Sequence, residues 1–287
     1  MFQKENKCCH FVLNSASGVV PEHQCAVKQE TKKAQEDKDK PNSTTRDSGS
    51  DEENSMGSRL TNINCKLKAI RKVLVILKLL VYQKQYESPS GDDFKKITAF
   101  PLGDSEEDSM KCFQDITEIT ILTLQDIVEF SKMVPGFDTI FREDQITLLK
   151  ACSNEAMILR IARKYDMKTD CIFFANNQPY TRENYRSAVM GDSVDSIFHF
   201  CRTMCILEVD NAEYALLSAI VLFSERPCLL QPKKIEKIQE YYMDTLRCYI
   251  MANRPAGRKY FASLLFKLFE LRSLGNMNSE LCFSLKV

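Results

Sequence analysis

An all-α fold is what this sequence predicts, on three observations. Backbone breakers are scarce: Gly 9 and Pro 9 in 287 residues, about half the usual combined usage. From Asn64 onward apolar residues recur with helical period. Only Thr169–Thr181 (TDCIFFANNQPYT) reads as a short strand, a turn and a second strand. The expectation is a helical bundle with one small β-hairpin set into its middle.

The periodicity places helices at 65–86, 115–133, 142–165, 193–207, 211–225, 232–252 and 258–281. Asp210 followed by Glu213 has the spacing of a capping box and opens the helix NAEYALLSAIVLF. Pro227 and Pro232 bracket a stop and restart around CLLQ. Before these helices, Lys28–Arg59 holds only two apolar residues, Ala34 and Met56. Such a stretch cannot offset its ordering entropy by burial, so residues 1–63 read as a hinge-like, disordered segment and 64–287 as one domain.

Composition narrows the function classes. Lys+Arg 39 against Asp+Glu 39 leaves no net charge, which argues against bulk-charge gripping of nucleic acid. The most apolar run, Val73–Tyr82 (VLVILKLLVY), contains Lys78 and falls short of the ~20 apolar residues a membrane span needs. The N-terminus MFQKENKCCH lacks the apolar run of a secretory signal. Among twelve cysteines no C-x-x-C pair occurs, so free thiols in a reducing compartment are the better reading. Cys201 and Cys205 beside His199 make only a weak metal signal. No G-x-S-x-G, P-loop or H-E-x-x-H occurs, and three histidines give little material for catalysis. The chain is not expected to be an enzyme.

Two helices carry features that bear on binding. On 115–133, Ile116, Ile119, Thr120, Thr123 and Ile127 share one face, setting two hydroxyls into an apolar stripe. Each Thr could bond its own i−4 carbonyl and simply pack, or the stripe could wall a pocket for a mostly apolar ligand with polar groups. On 142–165, Arg160 lies near Arg163 and Lys164 on the wheel, yet its run MILRI is too apolar for a clean surface helix. A guanidinium inside a pocket would fix a carbonyl or hydroxyl through its fork of donors. The wheel leaves both readings open.

The segment Phe130–Lys150 (FSKMVPGFDTIFREDQITLLK) resembles the signature of nuclear-receptor ligand-binding domains, through Phe130, Lys132, Phe137, Asp144, Gln145, Leu148 and Leu149. The flanking runs DITEITILT, ACSNEAMILRIARKYD, FFANNQPYTRENY, HFCRTM, DNAEYALLSAIVLFSERP and NSELCFSLK resemble the ecdysteroid-receptor branch of that family. The likeness is close over 112–286 and weaker over 79–97, and VVPEHQCAVK and KKAQEDKDKPNSTT look like that branch's hinge.

The resemblance implies a three-layer helical sandwich around a steroid pocket, with an ecdysteroid such as 20-hydroxyecdysone as ligand and no cofactor or metal. By that likeness Glu87 and Arg160 would meet the A-ring end, and Thr120 and Thr123 the 14-hydroxyl and enone side. The backbone of Ala175 would meet the 6-keto group, Tyr185 the 20-hydroxyl, and Asn278 the far hydroxyl of the tail. Ile116, Ile119, Met157, Ile158, Phe174, Met190 and Cys282 would supply apolar walls. Lys132, Gln145 and Lys150 would border a coactivator or corepressor groove.

An ultraspiracle or retinoid X receptor-type partner would pair with helices 232–252 and 258–281, the latter rich in Phe261, Leu264, Leu265, Leu268, Phe269, Leu271 and Leu274. The protein implied is a hormone-regulated transcription factor of the nucleus. The resemblance would place two zinc modules before the hinge and an activation helix with a lid tryptophan after CFSLK, and the expectation here is a chain without either. Specific DNA contact is therefore expected only through domains absent here. A second expectation is a non-activating variant that sequesters the partner.

Overall fold

A computed structural model describes residues 51–87, 106–174, 178–186 and 193–284. At 51–62, 106, 109, 112, 113 and 277–284 it describes the backbone alone. The chain divides into two compact units, Met1–Leu74 and Val75–Val287.

The described part of the first unit is the start of helix α1 (Asp51–Gln85). The helix begins well before residue 65, so 51–63, expected to be disordered, is helical backbone. Scarce apolar residues do not forbid a helix whose hydrogen bonds are internal. Asp51, Glu52 and Glu53 place negative charge against its positive N-terminal end, and no proline interrupts it before Gln85.

In the second unit, Ile76 and Leu79 of α1 are buried and Gln83 donates through Nε2 to the carbonyl of Asn211 at 3.1 Å. Helix α2 (Glu106–Met133) also starts earlier than expected, behind the acids Glu106, Glu107 and Asp108. It ends in a turn at Pro135 and Gly136. Gly136 has φ 98, a left-handed conformation natural to glycine, and Ile238 Cγ2 would lie 3.3 Å from any added Cβ. Tyr242 Oη donates to the Pro135 carbonyl at 2.7 Å. A 3-10 turn, Phe137–Thr139, then leads into α3 (Arg142–Lys164).

The chain next forms three short antiparallel strands rather than the expected two: β1 (Tyr165–Asp166), β2 (Cys171–Phe173) and β3 (Pro179–Tyr180). Their register sets Tyr165 opposite Ile172 and Ile172 opposite Tyr180. The added strand is the direct continuation of α3. Its two residues offer no alternation for a sequence reading to detect.

Five more helices follow: α4 (Arg182–Tyr185), α5 (Ser193–Ile206), α6 (Asn211–Leu222), α7 (Pro232–Asn253) and α8 (Gly257–Ser284). The capping box at Asp210 and Glu213 is present, and Pro232 takes the first turn of α7, where a missing N–H costs nothing.

Helix α3 is the hub: it packs against α2, α5, α6 and α8, while α7 packs on α6 and α8. Helix α6 is buried on almost every side, as its all-round apolar sequence requires. The α6–α7 loop is tied back to the start of α3, where Asp144 accepts from the amides of Leu230 at 2.7 Å and Gln231 at 2.9 Å. The second unit is a three-layer helical sandwich with a small sheet. No described helix is long and apolar enough to cross a membrane.

Candidate ligand site

The apolar stripe of α2 faces inward as its spacing requires. Ile116, Ile119, Thr123 and Ile127 are buried and Thr120 is half-buried. Thr123 Oγ1 donates to the Ile119 carbonyl at 2.7 Å. The local back-bond thus uses the hydroxyl proton but leaves the oxygen as an acceptor. On α3, Ile158 is fully buried and Met157 half-buried. Helix α3 packs on α2 and on β2, the strand that leads to Phe174, and α4, which ends at Tyr185, packs on α2 and α5. Phe174 meets Tyr180 edge-on at 5.2 Å, and the buried Tyr185 meets Phe198 edge-on at 5.8 Å. These side chains are mainly apolar and aromatic.

The polar content centres on Arg160. The guanidinium is half-buried and donates through Nη1 to the Tyr86 carbonyl. Among the described residues that is its only hydrogen bond, leaving most of its five donors uncommitted. Burial pushes its pKa down to about 10, against the pull of Asp126. Asp126, on the facing helix α2, has a buried Oδ2 with no hydrogen-bond partner among the described residues. Burial raises the pKa of its carboxyl, and the charge of Arg160 only partly offsets this. A cation with spare donors and an acid with a spare acceptor therefore share one buried neighbourhood.

Asp126 was not singled out from the sequence, although the signal existed. It stands three residues after Thr123 and seven after Ile119, on the edge of the same face.

Glu87 lies at the end of α1 beside this cluster. It accepts from Lys164 Nζ at 3.1 Å and stands 3.4 Å from Arg163 Nη2. Burial opposes its charge, but Arg163, Lys164 and Arg160 outweigh that and hold its pKa below the ordinary value. Ala175 and Met190 lie outside the described residues. Asn278 and Cys282 lie on α8 where only the backbone is described.

Of the residues expected to border a groove, Lys132 lies in the last turn of α2, exposed, and pairs with Glu129 at 2.5 Å. Gln145 donates to the carbonyls of Phe137 at 2.9 Å and Ile140 at 3.2 Å, so it fastens the 3-10 turn to α3. Lys150 is exposed. Met133 and Ile146 on the same two helices are exposed apolar side chains that the sequence reading passed over.

The site is suited to binding. Cys201 is fully buried in α5 and burial drives its thiol pKa far up, while His199 is exposed, so the two do not converge on a metal. No cluster of three or more His, Cys, Asp or Glu side chains among the described residues could hold one.

Residues 104–287 match the family model described as the ligand-binding domain of nuclear hormone receptor. The chain is 46% identical to the ecdysone receptor of Lucilia cuprina over 94% of its own length and 38% of that protein's. It is 45% identical to that of Drosophila melanogaster, over 94% of this chain and 35% of the relative. It is also 46% identical to that of Heliothis virescens, over 94% and 52%. The chain thus spans between about a third and about half the length of these curated relatives. The matched family comprises ligand-regulated transcription factors rather than enzymes, in keeping with a site of apolar walls and uncommitted hydrogen-bonding groups. The helical sandwich, the inward-facing stripe and the matched span together make this chain a member of the nuclear hormone receptor family.

Proposed function

We propose that this chain is the hormone-binding part of an ecdysteroid-regulated transcription factor of the nucleus. The observation that carries the reading is 42–46% identity to ecdysone receptors over 94% of the chain. The buried neighbourhood between α2 and α3 supports it, because apolar walls and spare polar groups are what a polyhydroxylated sterol requires.

In this reading Ile116, Ile119, Met157, Ile158 and Phe174 enclose the sterol rings, with Met190 and Cys282 completing the wall. Arg160 donates to the A-ring end, where Glu87 fixes the local charge. Thr120 and the acceptor oxygen of Thr123 take the 14-hydroxyl and enone side, the Ala175 backbone the 6-keto group, and Tyr185 and Asn278 the tail. Asp126 adds an acceptor for a hydroxyl donor. No cofactor takes part. Arg160→Ala should weaken binding of a labelled ecdysteroid by roughly 10- to 100-fold, because it leaves buried hormone oxygens unpaired. Equal affinity for variant and parent in a titration would remove the assignment.

Pairing with an ultraspiracle or retinoid X receptor-type subunit belongs to the same reading. On α8, Leu264, Leu271 and Leu274 are buried, whereas Phe266 and Phe269 are 66% and 74% exposed, and Tyr241 and Met251 of α7 are exposed as well. Large apolar side chains left in water on packed neighbouring helices suit a subunit interface. Phe269→Asp should weaken heterodimer formation by at least about tenfold in sedimentation while leaving the monomer folded. An unchanged association constant would move the interface elsewhere. Lys132, Gln145 and Lys150, with Met133 and Ile146, form the surface assigned to coregulator peptides.

A further inference from the structure

One helix face stands outside everything the hormone reading uses. In the first compact unit, Ile63, Leu67, Ile70 and Leu74 of α1 are each between 41% and 52% exposed. They alternate by four and three residues, the a/d spacing of a coiled coil. In sequence the same register runs back to Leu60 and Met56. On a helical wheel the four exposed side chains fall within an arc of about 60°. That is a narrow coiled-coil seam rather than the ≳100° stripe of a core-facing helix. Lys66 borders the stripe at a g position and Arg71 at an e position. From Asn54 to Gln85 every charged residue is Lys or Arg.

We propose that this stripe is a docking seam for an amphipathic helix of another protein, one with apolar a and d positions and acidic e and g positions. Charge selects the occupant. In a parallel pair of copies Lys66 of one would face Arg71 of the other. In an antiparallel pair each would face its own kind. Like charges oppose both self-pairings, and an acidic helix turns the same contacts attractive. An anionic lipid surface shares the charge preference, but a narrow seam with no aromatic residue between Met56 and Leu74 lacks the broad apolar face of an interfacial helix. The seam involves none of the hormone-site residues, so it stands whether or not the chain binds an ecdysteroid.

The test is a fluorescence-anisotropy titration of the full chain with a labelled peptide of about four heptads carrying Ile at a, Leu at d and Glu at e and g. The same peptide with Lys at e and g is the comparison. The acidic peptide should bind at least about tenfold more tightly than the basic one. Leu67→Glu with Leu74→Glu should abolish this binding and leave the thermal transition in place, because both side chains are exposed. Lys66→Glu with Arg71→Glu should invert the peptide preference. Equal binding of the two peptides, or none, would overturn the proposal. So would a dimer of the chain that the Leu67/Leu74 variant dissolves, or flotation with phosphatidylserine vesicles in place of peptide binding.

Discussion

Helix α3 holds two meetings of carboxylate and guanidinium, and they have opposite characters. At Glu155 the pairing is bidentate: Arg226 donates through Nη1 and Nη2 to the two carboxylate oxygens at 2.9 Å each, with both side chains 4% exposed. Arg272 adds a third charge at 3.7 Å. Helix α8 closes over the pair at Gly275, where an added Cβ would lie 2.6 Å from Glu155 Cγ. Among the described residues Arg226 Nε has no partner. Further along the same helix and among the described residues, Arg160 has one hydrogen bond, and its counter-charge Asp126 keeps a buried oxygen unpaired. A buried carboxylate met at both oxygens by a guanidinium of the fold is scaffold. A guanidinium with most of its donors unused, beside an acid with an unpaired oxygen, is where a ligand has something to add.

The largest effect that tests this contrast is Arg226→Ala. Removing one partner of a buried ion pair strands the other, and should cost about 3–5 kcal/mol in denaturant unfolding. A loss below about 1 kcal/mol, the range of an exposed pair, would mean the Glu155 cluster is not the scaffold described. Next in size is the stability cost of Arg160→Ala, about 1–2 kcal/mol for the lost bond to Tyr86 and its packing. The two variants should therefore separate: Arg226→Ala loses mainly stability, Arg160→Ala mainly hormone affinity. A drop in stability at Arg160 equal to that at Arg226 would erase the distinction between scaffold and site.

What could be read in the sequence follows the same division. Local chemistry was legible: the box at Asp210 and Glu213, Pro232 at a helix start, the α2 stripe and the signature around Asp144 all stand where spacing put them. Features set by tertiary contact were not. Arg160 lies beside Arg163 and Lys164 on the wheel, and only the approach of the end of α1 places Tyr86 against it. Asp126 looked like an ordinary polar position at the border of a stripe, because its burial depends on α3 crossing α2. The onset of α1 at Asp51 escaped for a different reason. Hydrophobic periodicity detects packing, and a helix held by its own backbone bonds does not need it.

The smallest effect, and the finest test of the contrast, is a pH profile. Burial raises the pKa of Asp126, whereas Glu87, overcompensated by Arg163, Lys164 and Arg160, has its pKa lowered. The two acids should then contribute to stability with opposite slopes. For Asp126 the folded state binds its proton more tightly than the unfolded chain. Its presence therefore costs stability as pH rises from the unfolded carboxylate value through the raised folded value, and that cost persists above it. For Glu87 the folded state binds the proton less tightly. Its contribution is present above the unfolded value and is lost as pH falls through the lowered folded value. Unfolding free energy should be measured for parent, Asp126→Asn and Glu87→Gln from about pH 3 to pH 7. The Asp126→Asn difference should shift in the variant's favour as pH rises, and the Glu87→Gln difference in the parent's favour. Slopes of one sign for both would show that Asp126 finds a partner in the folded protein. An added ecdysteroid that supplies that partner should flatten the Asp126 difference and leave the Glu87 difference standing.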